Sequence, residues 1–233
     1  MTDAVIKDLV IDATDGATLA AFWSAALGLR SRPAGDSAAD FVLEDDVPER
    51  TVWINQVPEP RTVKQRVHLD LHATVDELRA LGATADAQQE SWTVMRDPEG
   101  GELCAFPRQA ATAGRYRLYA LVVDAADPAA VSAWWAERFG LEAKRYSDRP
   151  WYRLEPGDGL PWLMLFIPVP EPKTVKNRIH WDVWGETGRL LDAGATLLAA
   201  RQDSPDPGVF WDVLADPEGN EFCVFRPEQP LPE

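Results

Sequence analysis

The sequence predicts an α+β fold in which one unit, a strand, a helix and then further strands, is laid down four times in a row. Three observations predict it. Val57 to Asp70 returns as Val169 to Asp182, 112 residues later. Each copy alternates short apolar runs with a capped helix and then more strand-like runs. The turn Asp97-Pro98-Glu99-Gly100 returns as Asp216-Pro217-Glu218-Gly219. A repeat of this length is the size of a small domain rather than of a solenoid unit. The expected domains are residues 1–110 and 114–233, joined by the small, featureless stretch 109–114.

The elements follow in order. Val5 to Ile11 and Leu118 to Val123 are short and β-branched, which favours strands. Asp15 and Asp127 are helix N-caps, and Pro128 suits the first helical position. The helices run from Thr18 to Leu27 and from Ala129 to Phe139. Gly28 and Gly140 end them, because a residue past a helix end often needs a left-handed backbone. Strands are expected at 40–43, 51–55, 151–154 and 162–166. The second unit of each copy then opens with a strand, at Arg66 to Leu71 in the first. A short helix over 74–81 follows, ended by Gly82. Thr93 to Arg96 and Glu102 to Phe106 make a hairpin whose turn has Pro at its second position and Gly at its fourth. The second turn lies 119 residues after the first, so copy two carries seven extra residues, placed at Gln202 to Gly208.

Composition narrows the function. The chain has 233 residues, 45% hydrophobic and 26% charged, which describes a soluble globular protein. No apolar run reaches the length of a membrane span, and no secretory signal opens the chain. A net charge of −15 repels nucleic acid and anionic membranes, so neither is an expected partner. The two cysteines, Cys104 and Cys223, occupy matching positions and read as reduced thiols of a cytoplasmic protein.

Four motifs in order, twice, carry a family resemblance. They are Phe22-Trp23 with Leu27-Gly28-Leu29, Arg66-Val67-His68-Leu69-Asp70, Leu81-Gly82-Ala83, and Asp97 to Glu102. Their second copies are Trp134-Trp135 with Phe139-Gly140-Leu141, Arg178 to Asp182, Ala193-Gly194-Ala195 and Asp216 to Glu221. Nearly the whole chain resembles the vicinal oxygen chelate superfamily: glyoxalase I, bleomycin resistance proteins, extradiol dioxygenases. The resemblance implies tandem pairs of βαβββ units joined edge to edge, with curled mixed sheets around an open cleft and helices outside. Fold of this kind places a site better than it names a chemistry.

Strand alternation sorts the faces. Val67, Leu69 and Leu71 belong under the helices; His68, Asp70 and His72 face the cleft. In copy two Ile179, Trp181 and Val183 go under, and His180, Asp182 and Trp184 face the cleft. Glu102 and Cys104, and likewise Glu221 and Cys223, join them. Trp53 and Trp162 lie on strands and are expected to stack on a flat ligand, whereas Trp23, Trp134 and Trp135 sit on helices and belong to the core. Relatives that use a metal place ligands on the first strand, on the strand opening the second unit and on closing strands. Here those positions read Asp8, His68 and Cys104, or Ala120, His180 and Cys223. Alanine ligates nothing, so no complete metal site and no cofactor are expected; a divalent metal would fall to Asp8, His68 and Cys104. The basic run Arg61 to Arg66 reads as a connector with an anion-binding alternative. A cysteine nucleophile with a histidine base is a further alternative.

The leading expectation is a protein that binds a small, partly apolar organic molecule, such as an antibiotic or metabolite held by sequestration. The rival is a metal-dependent lyase, isomerase or dioxygenase using Asp8, His68 and Cys104 or Glu102. A structural pairing module is a third option, and homodimerisation stays open. The two copies are expected to be unequal, with copy two the more aromatic and copy one keeping Asp8 and His72.

Overall fold

The computed structural model describes residues 2–107, 115–146, 148–206 and 208–227. The stretch 109–114 lies outside them. The first unit comprises β1 (Ala4–Ala13), α1 (Gly16–Leu27), β2 (Arg30–Pro33), β3 (Phe41–Glu44) and β4 (Val52–Gln56). The second comprises β5 (Val67–His72), α2 (Val75–Ala80), β6 (Thr84–Gln88), β7 (Thr93–Arg96) and β8 (Glu102–Phe106). The third is β9 (Leu118–Ala125), α3 (Pro128–Phe139), β10 (Lys144–Arg145), β11 (Tyr152–Leu154) and β12 (Leu163–Pro168). The fourth is β13 (Ile179–Gly185), α4 (Thr187–Asp192), β14 (Thr196–Ala199), β15 (Asp212–Ala215) and β16 (Glu221–Phe225). Four βαβββ units are therefore present.

The helix punctuation is as expected. Asp15 accepts from the Thr18 amide and Asp127 from the Ala130 amide. Gly28 and Gly140 adopt φ of 76° and 67°, a region other residues enter only at a cost. Thr74 and Glu77 close a capping box on α2.

The sheets do not follow the copies. One sheet, called A below, has the strand order β14-β15-β16-β13-β1-β4-β3-β2; the other, B, has β10-β11-β12-β9-β5-β8-β7-β6. Sheet A joins the first unit of copy one to the second unit of copy two, through antiparallel β1 and β13. Sheet B joins the remaining two units, through antiparallel β5 and β9. The edge-to-edge pairing of units that the resemblance implies is thus made between copies: each sheet takes one unit from each copy. Hydrophobic alternation cannot choose between these pairings, because the first and third units offer nearly the same strand pattern to a partner.

Cross-copy contacts fix the exchanged arrangement. Arg178 donates to the Glu59 carbonyl oxygen at 2.7 Å, and Arg66 to that of Glu171 at 2.5 Å. The turn glutamates hold the units of one copy together across the two sheets. Glu99 accepts from the amides of Thr14 and Asp15 at the start of α1, and Glu218 from those of Ala126 and Asp127 before α3. A carboxylate there satisfies backbone donors and favours the helix dipole.

The helix-side core is one continuous cluster. Trp23, Trp135 and Trp181 are fully buried in it, and Trp135 meets Trp181 and Phe222 edge-on at 5.2 and 5.0 Å. Burying a large apolar side chain contributes about 1.5–3 kcal/mol, so this layer anchors the sheets and leaves their opposite faces for chemistry. Trp162 belongs to the same cluster. Its expected place in the cleft is corrected: it precedes β12 at the parity of Met164 and Phe166, which face the helices, while Leu163 and Leu165 face away.

Candidate functional site

On each sheet the face away from the helices carries the same three donors. In sheet B they are His68, Asp70 and Cys104; in sheet A, His180, Asp182 and Cys223. Alternation on β5 and β13 puts His and Asp two residues apart on one face, and the parallel neighbours β8 and β16 bring each Cys opposite its Asp. His68 Nε2 lies 3.5 Å from Asp70 Oδ1 and 3.8 Å from Cys104 Sγ. His180 Nε2 lies 3.8 Å from Asp182 Oδ1 and 3.7 Å from Cys223 Sγ. Within each trio the three ligand atoms lie within 4.8 Å of one another, so they surround a shared point.

What stands opposite the triads differs. A bulge in β1 between Ile6 and Asp8 sends Lys7 and Asp8 to the cleft, and Asp8 pairs across the ladder with Asp182. Trp53 Nε1 donates to Asp8 Oδ2 at 2.9 Å, and Lys7 bonds the same oxygen. Lys7 also lies 4.3 Å from the Phe225 ring centroid, beside Trp184. Sheet B has the matching irregularity in β9, where Tyr119 and Ala120 replace Lys7 and Asp8, and Ala120 faces Asp70. Ala120, Val122, Leu163 and Leu165 form a small apolar floor, with Tyr119, Tyr146 and Ile167 packed on it. His72 and Phe106 rim it, their rings 4.6 and 5.1 Å from Tyr119.

The electrostatics diverge accordingly. Burial alone would push the His68 pKa down, but the Asp70 hydrogen bond and the charges of Asp70, Asp124 and Glu102 outweigh it, and the net shift is upward. Burial and the Lys176 charge bring His180 down to about 3, against the Glu221 charge. Asp182 holds its proton well above the usual carboxylate range, through burial and then the charge of Asp8. Both thiols are pushed upward by burial and by Asp70 or Asp182. Activated thiolates have lowered pKa values, so these raised values do not favour the cysteine-nucleophile alternative.

Other expected site residues are distributed as follows. Asp8 lies in sheet A and His68 with Cys104 in sheet B, so the proposed ligand set Asp8, His68 and Cys104 is not assembled; the exchange of units separates it. The third donor expected to be missing from copy two is Asp182 itself. Glu102 sits near His68, 3.5 Å from Arg96. Glu221 is taken by Lys173 at 2.6 Å and by the Asn177 amide at 3.1 Å. The expected division of copies also changes: Asp8 serves the cleft of His180, and His72 that of Tyr119. The inserted segment of copy two leads to Phe210, whose ring lies 5.4 Å from Phe225 at the rim of sheet A. Lys7, Tyr119 and Tyr146 and the apolar floor went unrecognised in the sequence; comparing the copies position by position, Asp8 with Ala120 and Trp53 with Leu165, carries that signal.

The comparisons with known proteins agree with this architecture. A family model described as a glyoxalase-like domain matches residues 8–106 and again 120–225, and the chain belongs to that family. No curated protein matches it. Among solved structures it is similar to glyoxalase I from Zea mays, at 12% identity and a TM-score of 0.66, covering 96% of this chain and 92% of that one. It is also similar to a candidate dioxygenase from Bacillus subtilis, at 11% identity and a TM-score of 0.64, covering 98% and 86%. At such identities the likeness concerns the fold. Among the described residues, no helix is long and apolar enough to cross a membrane.

Proposed function

We propose that the chain binds a small organic molecule with an aromatic or apolar body in the cleft of sheet B, sequestering it rather than turning it over. The observation that supports this most is the apolar floor of Ala120, Val122, Leu163 and Leu165 beside the His68–Asp70 pair. An apolar wall with a few convergent polar groups is the usual composition of a ligand site. His68, its pKa raised, would donate to a carbonyl, phenolate or carboxylate oxygen of the ligand. Tyr119 and Tyr146, close enough to hydrogen-bond, lie across the floor and would have to part for entry. The ligand class is thus a flat phenol, quinone or aromatic acid, free or within an antibiotic. A reducing, cytoplasmic setting suits two free buried thiols.

The test is a thermal-shift screen of the full chain against such compounds, followed by calorimetry with hits. Binding to the native state raises the melting temperature by mass action. Hits should vanish in L165E and persist in the sheet A variant W53F. A screen yielding nothing, or hits indifferent to L165E, contradicts the reading.

A second reading concerns sheet A, where His180, Asp182 and Cys223 offer nitrogen, oxygen and sulfur donors, and the two distances from His180, 3.8 and 3.7 Å, match the edges of about 3.3–3.8 Å that bonds of about 2.0–2.3 Å to a tetrahedral ion would give. Asp8 Oδ1 and Asp182 Oδ1 are buried without a hydrogen-bond partner among the described residues. Two facing carboxylates, one forced to keep a proton, fit a small divalent cation. His180 Nδ1, also without a partner, lacks the hydrogen bond that usually orients a metal-bound imidazole. Such an ion would polarise a substrate oxygen when bound. The residues themselves would orient it: Trp53 through Asp8, and Lys7 by offsetting the carboxylate charge. Elemental analysis of protein purified without chelator, before and after C223A, decides this reading.

A further inference from the structure

Away from both clefts, the connectors 57–66 and 169–178 face each other across a cavity of about 940 Å³. No member of either donor triad lines it. Residues 61–66 and 173–178 each carry three cations and no carboxylate, in a chain of net charge −15. Five of those cations line the cavity; Lys173 turns instead to Glu221.

The five are not equally spent. Lys64 bonds Asp124 at 2.6 Å and Lys176 bonds Asp12, each pair joining the two copies. These carboxylates are almost wholly buried, while the lysine side chains stay more than half exposed. Arg66 and Arg178 put their bonds into neutral carbonyl oxygens, and their nearest carboxylates, Glu218 and Glu99, lie at 4.0 and 3.8 Å. Arg61 donates only to the Val63 carbonyl oxygen at 3.3 Å and has no carboxylate partner among the described residues. Val63 and Val175, 41% and 42% exposed, give the cavity apolar walls. Four carboxylates, Asp12, Glu59, Asp124 and Glu171, also line it, so it is not uniformly basic. Among the cations that line it, the guanidinium groups are the ones left least compensated.

We propose that this seam cavity binds a small multivalent oxyanion, a compound with two or more carboxylate or phosphate groups, held by Arg61 together with Arg66 and Arg178. A guanidinium fork matches the paired oxygens of either group. Clefts walled by low-dielectric surface concentrate the field of such charges. The cavity's volume suits a ligand of metabolite size. Binding there would bridge the two connectors, and so the two copies, without touching either cleft.

Calorimetry on the full chain with citrate and with pyrophosphate tests this, the two probes separating carboxylate from phosphate preference. The expected result is saturable one-to-one binding of at least one probe, with a Kd below about 1 mM. Arg61→Gln should weaken it about tenfold or more. The double variant V63W/V175W keeps every charge and fills the cavity, and it should abolish binding while circular dichroism shows the native fold. L165E, which disables the cleft of sheet B, should leave it unchanged. Failure of both probes to bind saturably overturns the proposal. Undiminished binding in R61Q and in the double tryptophan variant does so equally.

Discussion

The two clefts share a histidine, an aspartate and a cysteine in the same places, yet they are not equivalent. Sheet A sets a second carboxylate, Asp8, against Asp182; sheet B sets a methyl group, Ala120, against Asp70. Burial and then the charge of Asp8 raise the Asp182 pKa, burial and the Lys176 charge lower that of His180, and His68 is raised despite its burial by Asp70 and its acidic neighbours. A triad therefore does not define a site by itself. The strand facing it does, and here that strand comes from the other copy.

The largest effect is expected from A120D, which would give sheet B the carboxylate pair of sheet A without Lys7 or the indole of Trp53 to receive it. Ala120 is fully buried. An uncompensated buried charge costs roughly 3–5 kcal/mol, so the urea midpoint should fall steeply and cleft ligands should be lost. A variant as stable as the wild type would break the comparison. W162F should cost about 1–3 kcal/mol in the same melts, through the helix-side core, and leave the affinity of cleft ligands unchanged. Lost affinity would return Trp162 to the cleft.

How far this was legible in the sequence depends on burial contrast. Strands with one apolar face, such as Val67 to Leu71, announced both their existence and their parity. β2, β6, β10 and β14 are exposed along their length, and sequences such as Thr84 to Gln88 offer no alternation to detect. They lie toward the sheet edges, where polar residues and Pro33 discourage further pairing. His68, Asp70 and Cys104 were placed on one face because alternation fixes that locally. The identity of the facing strand was not legible. Duplicated units make the alternative partners equal in hydrophobic pattern, and the choice rests on contacts such as Arg178 with Glu59 that join residues 119 apart. The parity of Trp162 was missed because residues 162–166 are apolar at every position and offer no alternation to sort their faces.

Metal titration sharpens the comparison more gently. With cobalt(II) as probe, thiolate charge-transfer absorption should arise from sheet A, so C223A should weaken binding about tenfold, or about 1.4 kcal/mol, and C104A should have little effect. Equal losses in both variants would mean that Asp8 contributes nothing to the distinction.

The pH dependence of stability carries the same signature. His180 is depressed in the folded state, so between its unfolded value near 6.5 and about 3 the unfolded chain binds the extra proton, and this residue's contribution weakens as pH falls through that window. His68 has the opposite sign: its contribution is complete below the unfolded value and is lost as pH rises through its higher folded value. H180N should flatten the acid limb of a stability profile, and H68N the decline that sets in as pH rises past the ordinary histidine value.

The most direct test is a nitrogen-15 NMR titration of the histidine rings in chelator-treated protein, with assignments from single substitutions. The two triad histidines should part company, His68 titrating above the ordinary histidine value and His180 remaining neutral down to about pH 3. A common midpoint for both rings would contradict the claim that exchanged partners give the duplicated triads opposite chemistry.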